Sequence, residues 1–143
     1  MDRKRTVLVV EADADERERI GDVLEHGGYD VVLCSGPTGP DYVCIGEREG
    51  RCPLVSGSDV VVLDLWLKSD TLMMGTPSDE LVQLYLSAER PVITLGGAER
   101  LRAGFEDEPV ANLARHPEPG ALLGAVKALA RWYPNEPDLP LDR

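Results

Sequence analysis

The sequence predicts a doubly wound, three-layer α/β sandwich built on a five-stranded parallel sheet. Short apolar runs bounded by polar residues recur along the chain, as strands buried on both faces require. Stretches with helical periodicity alternate with them. One run, Asp59-Val60-Val61-Val62-Leu63-Asp64-Leu65-Trp66, stops on a single aspartate. Open α/β sheets carry their chemistry just beyond the carboxyl ends of the strands, so an acid placed there is a nucleophile, a metal ligand or a cap.

The elements follow in order. Thr6 to Val10 reads as a first buried strand. Asp15 to His26 reads as a helix with Ile20, Val23 and Leu24 on one face and charges elsewhere. Asp13 or Asp15 can N-cap it, and Gly27-Gly28 can end it through a positive-φ residue. Tyr29 to Leu33 gives a second strand and Asp59 to Leu63 a third. Between them lie 25 residues, Cys34 to Ser58, with five glycines, three prolines and little periodicity, so an irregular loop is expected in place of a second helix. Thr76-Pro77-Ser78-Asp79 starts a helix that runs to about Ala88 and buries Leu81, Val82, Leu84 and Tyr85. Pro91 to Leu95 is a fourth strand and Val110 to Ala114 a weaker fifth. The last helix spans about Pro119 to Trp132, with Leu122, Leu123, Val126, Leu129 and Ala130 as its buried stripe. Residues 1–133 form one domain, and Pro134 to Arg143 a proline-rich acidic tail.

Composition limits the function. A chain of 143 residues with 43% apolar content can bury one sizeable core. A net charge of −11 disfavours a general nucleic-acid or anionic-membrane binder, since both need clustered Lys and Arg. No stretch approaches the roughly 18 apolar residues of a membrane span, and the N-terminus has no long apolar run of a signal peptide. A cytoplasmic location is expected.

Three local stretches resemble the receiver domain of two-component response regulators. TVLVVEADADERERIGDVLEHGGYDVV is similar to the first strand, first helix and second strand of that family. DVVVLDLWL is similar to the phosphoacceptor strand, with Asp64 in the phosphoacceptor place. PVITLGG and NLARHPEPGALLGAV are similar to the fourth strand, the fifth strand and the last helix. The resemblance runs from about Arg5 to Trp132 and implies a flavodoxin-like sheet ordered 2-1-3-4-5. It also implies phosphoryl transfer from a histidine to Asp64, aided by Mg2+.

The family's site maps unevenly onto this chain. Its pair of metal-holding acids falls on Glu11-Ala12, with a further acid at Asp13. Ala12 cannot ligate a metal; Glu11, Asp13 and Asp64 remain the candidate Mg2+ ligands. The hydroxyl residue after the fourth strand falls on Gly96, and the lysine after the fifth strand on Arg115, which keeps the charge but not the shape. The proline expected after that lysine becomes His116. Asn112 or Leu113 takes the place of the switch aromatic. These changes describe a degenerate receiver, in which Arg115 pairs with Asp64 or Glu11 and relieves repulsion between acids that have no metal. Asp13 reads equally well as the N-cap of the first helix.

Other residues carry weaker signals. Cys34, Cys44 and Cys52 suit buried apolar thiols, a Cys44–Cys52 disulfide or a metal site, although no CxxC pair is present. His116 reads as a loop histidine, Trp66 as a flank of the site, and Met73 and Met74 as loop packing. Trp132 and Tyr133 read as staples for the tail, and Glu106 to Glu108 as a solvated face. The expected function is a non-enzymatic signalling module acting by protein–protein contact, with phosphorylation absent or altered. The implied partners are a histidine kinase, a downstream regulator or a second copy of the chain. The alternatives are a conventional Mg2+-dependent receiver phosphorylated at Asp64, and a flavodoxin-like redox or metal-binding module using the three cysteines.

Overall fold

A computed structural model describes residues 4–11, 13–34, 55, 57–64, 77–96 and 108–130, with the backbone alone for 77–81. In chain order the elements are β1 (Thr6–Val10), α1 (Ala14–His26), β2 (Asp30–Cys34), β3 (Val60–Asp64), α2 (Pro77–Ser87), β4 (Val92–Leu95), β5 (Val110–Leu113) and α3 (Pro119–Leu129). The five strands form one parallel sheet in the order β2-β1-β3-β4-β5. This is the flavodoxin-like arrangement expected from the sequence.

Two residue sets, alternating along the strands, make the core. Leu8, Val10, Val61, Leu63 and Val92 point to one face and pack with Val55, Val82, Tyr85 and Leu86. Val7, Val9, Val60, Val62, Ile93 and Leu95 point to the other and pack with Ile20 and Leu24 of α1 and Leu122 and Val126 of α3. The two-residue period of a strand produces this division. Each fully buried aliphatic side chain contributes about 1.5–3 kcal/mol of transfer free energy. β2 is one edge of the sheet, and its Leu33 is exposed.

Several boundaries differ from the sequence reading. β3 includes Asp64, because its pairing with β4 continues to Asp64 opposite Leu95. β2 runs one residue later than expected, to Cys34, which pairs with Val10. α3 ends at Leu129 rather than Trp132, and the Ala130 N–H closes the last turn on the Val126 carbonyl. On α2, Val82 and Tyr85 are buried as expected, Leu84 only partly, and Leu86 is buried as well; the Leu81 side chain lies outside the described residues. α1 ends as expected: Gly28 takes φ +99, a conformation open to glycine at little cost.

Cys44, Cys52, Trp66, Met73, Met74, Trp132, Tyr133, Glu106, Asp107 and the tail lie outside the described residues. So does most of the long segment expected to replace the second helix. Among the described residues, no helix is long and apolar enough to cross a membrane.

Candidate functional site

The sheet register brings two carboxyl groups together at its carboxyl end. β1 and β3 pair with Val7 opposite Val60 and Val10 opposite Leu63. Continuing that register by one residue sets Glu11 opposite Asp64. Adjacent strands lie about 4.8 Å apart, and residues of equal parity share a face, so the two side chains meet. Both are buried: Glu11 is 1% exposed and Asp64 0%. They share a hydrogen bond, and burial followed by this bond pushes the Glu11 carboxyl up to about 8. The bond Glu11 accepts from the Asp13 N–H and the charge of Arg115 act in the opposite direction. A carboxyl raised to that level holds a proton at neutral pH and donates it to Asp64.

Glu11 is anchored on every side. Its backbone N–H donates to the Cys34 carbonyl at 2.9 Å, and its own carbonyl accepts from Arg17 Nη1 at 2.7 Å. Its carboxyl Oε2 accepts from the Asp13 N–H at 3.0 Å.

Arg115 completes the site. Its Nη2 lies 3.1 Å from Asp64 Oδ2. β4 separates β3 from β5, so the guanidinium must cross the end of β4 to reach Asp64. The residue at that end is Gly96, buried and at φ +77, with its N–H bonded to the Leu113 carbonyl at 2.8 Å. Gly96 carries no side chain to obstruct the crossing. Two buried acids with one shared proton carry a single negative charge, and Arg115 balances it.

The structure separates the candidate residues into two groups. Glu11, Asp64 and Arg115 come together, with Gly96 between them in the sheet. Asp13 does not join them: its Oδ1 accepts from the Asp15 N–H at 2.9 Å and the Glu16 N–H at 3.3 Å, which makes it the N-cap of α1. Glu11, Asp13 and Asp64 therefore do not converge as an oxygen cage for Mg2+. Among the described residues, no three His, Cys, Asp or Glu side chains are grouped to hold a metal ion. Asp13→Ala should cost about 1 kcal/mol of stability, the usual value of an N-cap. Denaturant melts with and without Mg2+ check this, and the loss should be the same in both.

Two features of the site were missed in the sequence. Thr94 is a buried hydroxyl on β4, and its Oγ1 hydrogen-bonds Asn112 Oδ1 on β5. It pairs with Leu63, one step before Asp64, and so points to the opposite face from the carboxyl pair. A hydroxyl is thus present near the position left vacant by Gly96, but directed away from Asp64. The second feature is Glu16, buried on a helix face read as solvated. Its spacing of three from Arg19 was the available signal. Cys34 stands at the end of β2, half-buried against the core.

A scan against protein-family profiles finds no match, and no curated protein matches the sequence. Solved structures do match. The receiver domain of the PhyR response regulator from Erythrobacter litoralis superposes with a TM-score of 0.65 at 16% identity, covering 92% of this chain and 94% of its own. A response regulator receiver protein from Sinorhizobium medicae gives a TM-score of 0.64 at 16% identity, covering 89% and 94%. A putative response regulator from Chloroflexus aurantiacus gives 0.63 at 24% identity, covering 90% and 98%. Coverage of nearly the whole of both chains, with the same strand order, makes the fold that of a response-regulator receiver domain.

Proposed function

We propose that this protein is an atypical receiver-fold signalling module that works by protein–protein contact, with Asp64 closed to phosphoryl transfer. The observation that carries this reading is the Arg115–Asp64 pair at 3.1 Å, made to a carboxylate that is 0% exposed. An in-line attack on a phosphoryl donor needs an accessible, ionised carboxylate with a metal to balance the incoming charge. Here one Asp64 oxygen faces a guanidinium and the carboxylate takes a hydrogen bond from Glu11. Arg115 sits where the family's lysine would neutralise an acyl phosphate, and it neutralises the aspartate itself. The Asp64 oxygen that would attack a phosphoryl donor is instead paired with Arg115. Partner binding, not chemistry, is then the output, and no cofactor is required.

Incubation with Mg2+ and acetyl phosphate, or with beryllofluoride, tests this reading. Intact-mass and 19F NMR measurements should find no stoichiometric adduct. An adduct that forms on the wild type and disappears in Asp64→Ala would establish the conventional phosphoacceptor instead.

A further inference from the structure

The turn from β5 to α3 contains a residue in an unusual conformation. His116 lies at φ +55, in the left-handed region that disfavours side chains with a Cβ. Such a backbone persists where its surroundings over-determine it, and the outlier is then a pointer to a role. Here the surroundings are on α1. His116 Nδ1 lies 3.2 Å from Glu16 Oε2. The same Glu16 carboxylate accepts from Arg19 Nε at 2.9 Å and from Arg19 Nη2 at 2.7 Å. Arg19 Nη2 also donates to the Pro117 carbonyl at 3.2 Å. Glu16 is only 8% exposed, and its carboxyl is held below the ordinary range, chiefly by Arg19 and further by His116, against the effect of burial. Two side chains one helical turn apart thus grip two successive residues, His116 and Pro117, directly after Arg115.

We propose that Glu16 and Arg19 form a latch on this turn, and that through His116 the latch holds Arg115 over Asp64. The inference rests on the reading that Arg115 closes Asp64. The Arg115 side chain is 39% exposed, and an ion pair with one partly solvated member is weak on its own. A long side chain also loses rotamer freedom when it is held in one geometry. Fixing the φ and ψ of the next residue removes the backbone freedom that would swing the Arg115 stem toward solvent. His116 is a positioning residue: it acts on Asp64 only through its neighbour. Release of the latch would let the guanidinium leave and expose the Asp64 carboxylate, so the α1 surface around Glu16 controls a pocket at the carboxyl end of the sheet.

The test is 15N NMR of the Arg115 guanidinium in the full chain, as wild type, His116→Gly and His116→Asn. Glycine adopts the left-handed conformation freely and deletes the bridge. Asparagine tolerates that conformation and offers Glu16 an amide donor. Rotation about the Arg115 Cζ–Nη bonds should speed up roughly fivefold in His116→Gly, and return toward the wild-type rate in His116→Asn. Glu16→Gln should move Arg115 in the same direction as His116→Gly, and decides the question if the glycine variant loses its fold. Unchanged Arg115 dynamics in the folded variants would overturn the latch, as would equal loosening in glycine and asparagine variants. A guanidinium that already rotates freely in the wild type would instead overturn the closure of Asp64 on which the latch depends.

Discussion

Replacing Arg115 with alanine is expected to lower the unfolding free energy at pH 7 by roughly 2 kcal/mol. Breaking a fully buried ion pair from one side costs about 3–5 kcal/mol, because the remaining charge is left without compensation in a low-dielectric interior. Asp64 is buried in this way, at 0% exposure, and the hydrogen bond from Glu11 compensates its charge only in part. Arg115 is not fully buried, with 39% of its side chain exposed, so water already screens the pair and the cost falls below that range. Urea melts of the wild type and Arg115→Ala measure the difference. Arg115→Lys should recover part of the loss, since it restores the charge without the planar fork. A variant with wild-type stability would mean that the pair contributes nothing to the fold.

Glu11→Gln is expected to be more stable than the wild type above pH 8 and to remove much of the pH dependence between 5 and 8. The folded protein holds the Glu11 proton up to about pH 8, against an ordinary carboxyl value of 4.5. The folded state thus binds the proton more tightly than the unfolded chain. Its contribution is complete below pH 4.5 and is lost as the pH rises through 8. The slope cannot exceed about 1.4 kcal/mol per pH unit for one proton, which over the interval from 4.5 to about 8 caps the total at roughly 5 kcal/mol. Glutamine imitates the protonated acid: its oxygen can accept from the Asp13 N–H and its amide can donate to Asp64. Equilibrium unfolding of both proteins across pH 5–9 should therefore give curves that diverge as the pH rises. Parallel curves would show that Glu11 is ionised throughout.

Much of the fold was legible in the sequence because its physics is local and repetitive. Runs such as Thr6–Val10 and Val60–Asp64 are apolar on both faces, and only a central parallel strand buries both. Helix α1 announced its start, with Asp13 or Asp15 as the candidate cap, and its stop at Gly27-Gly28. The site was legible in part, since strand-end positions follow from strand order. That placed Glu11, Asp64, Gly96 and Arg115 at one end of the sheet. The role of Asp13 remained open in the sequence, because a residue one step off the ligand position reads equally well as a cap. Only the direction of its carboxylate decides, and it faces the α1 N–H groups.

What remained hidden depends on contacts between distant residues. His116 reads as an ordinary loop histidine until the fold brings α1 against the turn after β5, where Glu16 meets it at 3.2 Å. The Thr94–Asn112 bond crosses two strands and depends on their register. Thr94 looks, along the chain, like a hydroxyl near the site; the alternation of the strand turns it away.

The most direct measurement of the closed pocket is a 13C NMR titration of the Glu11 carboxyl carbon, assigned by its absence in Glu11→Gln. Burial and the proton shared with Asp64, acting against the charge of Arg115, predict a midpoint near 8. A midpoint near the ordinary 4.5 would contradict the account, because Glu11 and Asp64 would then both be ionised at neutral pH and would need a second cation between them.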